Sequence, residues 1–105
     1  GKAVFTIQFN VAIDTDSVAI GDNIQISGAN GSATATIEWR DDNTTMQLTT
    51  LQNFTTISPC FSGGITLEIF GDGANPVMDA QGKAIDGNNN GLPGGDWTDS
   101  YDILC

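Results

Sequence analysis

The sequence predicts an all-β fold, an antiparallel sandwich of about six or seven short strands. Three observations predict it. Apolar and polar side chains alternate with a period of two in segment after segment. Between these segments stand clusters of Gly, Asn, Asp and Ser, the residues of tight turns. Helical periodicity is absent over any useful length.

The strands follow in order. In VFTIQF, Phe5, Ile7 and Phe9 share one face, with Thr6 and Gln8 on the other. DTDSV at 14–18 has room for one helical turn and no more. NIQIS sets Ile24 beside Ile26, and SGANGS at 27–32 then breaks the chain. ATATIEWR alternates Ala35, Ile37 and Trp39 against Thr34, Thr36, Glu38 and Arg40, which predicts a single strand. DDNT at 41–44 predicts a hairpin into TMQLT, where Met46 and Leu48 face the same way. LQNFTTISPCFSGG at 51–64 is irregular and predicts a long crossover between sheets. GITLEIF aligns Ile65, Leu67 and Ile69, and SYDIL pairs Tyr101 with Ile103. Thr, Ile and aromatic residues are abundant, as strands favour.

A chain of 105 residues predicts a single domain, 1–105. No apolar run approaches the roughly 20 residues that span a bilayer, so no membrane insertion is expected. The opening GKAVFTIQFN reads as a mature or excised domain, not a targeting segment. Thirteen acids face three bases. That balance argues against nucleic acid, which is bound through clustered Lys and Arg. Of the acids, all but Glu38 and Glu68 are aspartate, a short side chain that favours turns and offers oxygen to hard cations.

Cys60 and Cys105 form no CxxC pair, and without histidine two thiols leave a zinc site short of ligands. A disulfide tying the C-terminus to a mid-chain loop is expected, which would suit a secreted or surface protein. The alternative is two free thiols.

The stretch DGNNNGLPGGD at 86–96 has no core-forming residue except Leu92. It matches the front half of a calcium loop of the form D-x-[DN]-x-[DN]-G. Asp86, Asn88 and Asn90 take the first, third and fifth places and Gly91 the turn at the sixth. Leu92 would offer its backbone carbonyl and Asp96 the next carboxylate. An EF-hand has Glu in the twelfth place, where this chain has Trp97, and the flanks are strands. Asp79, upstream in MDAQGKAID, is a further candidate ligand that could close the shell, giving an acidic metal loop at 79–97. Hard oxygen donors point to Ca2+, with Mg2+ second because it demands a tighter octahedron. Asp72 and Asp99 are weaker candidate ligands, expected rather to be solvated. The plain alternative is an Asx-and-glycine turn that holds no ion.

Taken together, VFTIQFNVAIDTDSV, the hairpin in WRDDNTTMQLTT, and the strand and Asp-Gly turn in GITLEIFGDGANPVMDAQGKAIDGNNNG resemble bacterial immunoglobulin-like domains of the S-layer, SbsA-type class. The tail DAQGKAIDGNNNGLPGGDW is similar to the calcium-associated extension of some members, whereas LQNFTTISPCFSGG departs from their usual short connection. The resemblance implies an immunoglobulin-like sandwich of about seven strands. It implies a non-catalytic module, secreted or at the cell surface, with neighbouring domains of a larger chain as its partners.

Catalytic readings fare poorly. With no histidine, Ser-His and Cys-His systems are excluded. Glu38 and Glu68 lie on outward faces of predicted strands, and Asp41 and Asp42 lie in a hairpin, so none forms a carboxylate pair across a cleft. No glycine-rich stretch links a strand to a helix with a lysine, so no phosphate loop is expected. Two functions remain. One is a calcium-stapled spacer or adhesion unit. The other is a carbohydrate-binding module that stacks polysaccharide on Trp97, the aromatic residue outside any clear alternating strand. Trp39 and Tyr101 are expected in the core. Asn30, Asn43 and Asn53 head N-x-S/T sequons, which matter only in a host that glycosylates.

Overall fold

The computed structural model describes residues 1–61, 63–87 and 91–102. They form an antiparallel β-sandwich, as the alternation predicts. β1 (Lys2–Gln8), β4 (Ala35–Arg40) and β5 (Thr45–Asn53) make one sheet in the order β1-β5-β4. β2 (Ile24–Gly28), β3 (Gly31–Ala33), β6 (Ile65–Ile69) and β7 (Trp97–Tyr101) make the other, in the order β3-β2-β6-β7. Among the described residues, these strands pair with one another antiparallel throughout.

The inner faces are those the period of two assigns. Phe5, Met46 and Leu48 from one sheet meet Ile24, Ile26, Ile65, Leu67 and Ile69 from the other, all buried in a shared core cluster. Ala35, Ile37 and Trp39 on the edge strand β4 are half-buried against it. The predicted turn at 14–18 is a 3-10 turn at Thr15–Ser17, capped by Asp14, whose Oδ1 accepts from the Asp16 N–H at 3.1 Å.

The stretch 33–40 is a sheet switch, not one strand. Ala33 pairs with Ile26 in the second sheet, while Ala35 pairs with Thr50 in the first. The crossing residue Thr34 is held by Gln52. The Thr34 N–H donates to Gln52 Oε1 at 3.2 Å, and Gln52 Nε2 donates to Thr34 Oγ1 at 3.3 Å. Both sheets turn their inner faces to one core, so burial alternates straight through the crossing. Residues 51–53 extend β5, and the helical turn α1 (Phe54–Ile57) begins the predicted crossover to β6. Cys60 is disulfide-bonded, and Cys105, like Ile103, lies outside the described residues.

Between β6 and β7 the chain leaves the sheets and covers one end of the sandwich. Three backbone hydrogen bonds step across this excursion: Val77 N–H to Phe70 O at 2.8 Å, Ile85 N–H to Val77 O at 3.0 Å and Gly94 N–H to Ile85 O at 2.9 Å. Val77 and Ile85 are thereby pressed into the core beside Ile13. Asn23 locks the same end from within. It is 2% exposed; its Nδ2 donates to the carbonyls of Ser17 and Asn75, and its Oδ1 accepts from the Ala19 N–H at 2.8 Å.

Candidate metal site

The excursion is stitched by carboxylates. Asp96 Oδ1 accepts from the N–H groups of Gly71 and Asp72, both at 3.1 Å. Asp72 answers, its Oδ1 accepting from the Gly95 N–H at 2.9 Å. Asp86 Oδ2 accepts from the Gly91 N–H at 2.7 Å and closes the loop that follows it. A carboxylate that accepts backbone N–H bonds satisfies donors that irregular chain would otherwise leave unpaired.

Glycine is needed here for a reason the sequence does not announce. A Cβ on Gly71 would run into the carbonyl oxygens of Gly95 and Ile85. A Cβ on Gly87 would meet Gly95 O, and the Trp97 nitrogen at 2.8 Å. Backbone lies on backbone, and the Gly87 N–H donates to Gly95 O at 3.1 Å. Asp86 and Asp96 thus stand on adjoining segments, with Asp72 bound to the second.

Asp79 is held elsewhere. Its Oδ1 accepts from the N–H groups of Gln81 and Lys83, each at 2.9 Å, and so caps the turn of the hairpin built on the Met78–Ala84 bridge. That hairpin places it about three residue steps from the level of Asp86, roughly 10 Å along a strand. Asn88 and Asn90 lie outside the described residues. Leu92 is 65% exposed. Among the described residues, no group of three or more His, Cys, Asp or Glu side chains is arranged to hold a metal ion.

The donors present suit a hard cation in kind, since they are carboxylate oxygens. Calcium takes six to eight such oxygens, and the described residues do not by themselves gather a cluster of that kind. Asp72 is exposed, as expected, and also belongs to the network; its clue is the Asp-Gly dipeptide that the chain repeats at Asp86-Gly87.

Trp97 does not stand outside a strand. It is the first residue of β7, paired with Ile69, half-buried and packed against the core. It lines a cavity of about 220 Å³ together with Ile7 and Phe9. Glu38 faces outward as expected and pairs with Arg40 at 3.2 Å, both well exposed.

No protein-family model, no curated protein and no solved structure matches this chain.

Proposed function

We propose that this chain is a non-catalytic, calcium-stabilised immunoglobulin-like module. It acts as a structural spacer or surface/adhesion unit of a larger secreted protein, with neighbouring domains as its partners. The observation that carries this reading is the carboxylate stitching of 70–96. Asp72, Asp86 and Asp96 each commit an oxygen to a backbone N–H within one glycine-rich excursion. An ion at Asp86, completed by Asn88, Asn90, Asp96 and the Leu92 carbonyl, would draw that excursion onto the sandwich end. The resemblance to the S-layer class supports the same reading. The disulfide at Cys60 supports an oxidising compartment.

Calorimetric titration of the metal-free protein with CaCl2 tests it. A saturable site lost in Asp86→Asn is expected, because that change removes the charge and keeps the shape. No heat at millimolar calcium would leave the Asx-and-glycine turn as the sufficient account. The carbohydrate alternative rests on Trp97, and the packing of its ring on the core makes it the weaker reading.

A further inference from the structure

Among the described residues, the sandwich is open along one side. β1 is the outer strand of its sheet and β7 the outer strand of the other. Between them runs a seam with two cavities in line. One, of about 380 Å³, is lined by Ala3, Phe5, Phe54, Ile65 and Tyr101. The other is the cavity of about 220 Å³ beside Ile7, Phe9 and Trp97. The rings of Phe5 and Tyr101, 5.0 Å apart between centroids, touch across the seam.

The edge of β1 is ready to pair. The Phe9 N–H donates to Thr44 O at 2.8 Å, and Phe5 and Ile7 stand opposite Leu48 and Met46. Antiparallel alternation therefore turns the backbone groups of the odd residues toward β5. Those of Val4, Thr6 and Gln8 point the other way, along the open side, and such an edge is a template for another strand.

We propose that this seam is a strand-addition site for an extended peptide of a partner protein, apolar at every second position and cationic between. Main-chain bonds to Val4, Thr6 and Gln8 supply affinity, and alternate side chains enter the seam. The cavity centres lie about four residues apart along β1, so large side chains belong at i and i+4. A small one belongs at i+2, where the two cavities meet. Charge selects the partner. Asp102 lines one cavity and Asp86 the other, with no basic residue among the described linings. A second copy of this chain would bring a net charge of −10 against the same charge.

The test uses a synthetic peptide, Lys-Leu-Thr-Ala-Lys-Leu-Thr, titrated into the protein in EGTA at low salt, where Asp86 keeps its charge and the calcium proposal plays no part. Saturable binding is expected, with amide exchange at Val4, Thr6 and Gln8 slowed about tenfold or more on saturation. Glutamate in place of both lysines should weaken binding by about tenfold or more. N-methylation of the peptide at alternate residues should abolish it in one of the two frames. Thr6→Pro removes an outward N–H while sparing the bonds to β5, and should also abolish binding. If that variant does not fold, the N-methylated peptides decide. Absence of saturation at about 1 mM peptide, or equal binding by both N-methylated peptides, overturns the proposal. Concentration-dependent dimers that protect the β1 amides and that the peptide does not disperse would overturn it in favour of a second copy.

Discussion

Asn23 shows how much one side chain organises in this molecule. Its amide spends both ends on backbone groups that no strand serves, the carbonyls of Ser17 and Asn75 and the N–H of Ala19. Asn23→Ala removes three hydrogen bonds, each worth about 0.5–1.5 kcal/mol net. It also empties a buried site, so we expect a loss of about 2–3 kcal/mol in urea unfolding. Ser58 is the opposite case. It is fully buried, and its Oγ has no hydrogen-bond partner among the described residues. Ser58→Ala removes an uncompensated hydroxyl at almost constant volume, so it should be neutral or raise stability by up to about 1 kcal/mol. Neither role could be read from the sequence. Asn23 sits at the head of NIQIS like any residue that starts a strand, and its partners lie 4, 6 and 52 positions away. Local pattern carries no record of such contacts. The candidate ligands fared alike. The bond from the Gly91 N–H to Asp86 spans five positions and follows a local turn pattern, whereas the capping by Asp79 within its own hairpin depends on the bridge between Met78 and Ala84.

At the scale of elements, the strands with one face on the core were legible residue by residue, since burial repeats the alternation in β2, β4 and β6. β7 was legible only in part. Trp97, Asp99 and Tyr101 share a face, but Asp99 interrupts the apolar pattern, so the alternation predicts a later start than the strand has. An acid is tolerated there because β7 is an edge strand beside the open seam, where Asp99 keeps contact with water. The switch at Thr34 was hidden for a different reason: alternation reports which side faces the core and not which sheet a residue joins. Asp99 also leaves a chemical signature. The Tyr101 hydroxyl is pushed above its ordinary value of 10.0, first by burial and then by the charge of Asp99 and its hydrogen bond. A raised folded value means that above pH 10 the unfolded chain holds fewer protons than the native one, so stability falls as pH rises. The contribution is whole below the ordinary value and is lost as pH climbs through the folded one. The melting temperature of Tyr101→Phe, which cannot ionise there, should therefore gain on that of the unmodified protein as pH is raised above 10. A constant difference across that range would show that the phenol is not held protonated by the fold.

At the scale of the molecule, the distribution of charge matters more than its total. The loops at the end covered by 70–96 carry Asp14, Asp16, Asp22, Asp41, Asp42 and the aspartates of the excursion, and backbone bonds join them. The Asp14 N–H reaches Met78 O at 3.0 Å, and the Ile13 N–H reaches Asn43 O at 2.9 Å. Most of a net charge of −10 is thus gathered at one end of a body 41 Å long. The screening length is about 30 Å at 0.01 M salt and about 10 Å at 0.1 M, so in dilute buffer these carboxylates repel one another across the whole end. Melting temperature in EGTA should rise with NaCl and level off once screening is complete. Calcium must do more than screen if it binds the Asp86 loop. Binding only to the folded form adds about 2.7 kcal/mol at a hundredfold excess over the dissociation constant. For a domain of this size that is roughly 10–20 °C in melting temperature. The comparison is calcium against NaCl and MgCl2 at matched ionic strength, with Asp86→Asn alongside. A calcium increment of that size, absent in the variant, would mark a site. Equal shifts from all three salts would mean that the acidic end answers only to ionic strength, with the carboxylates serving as backbone caps and nothing further.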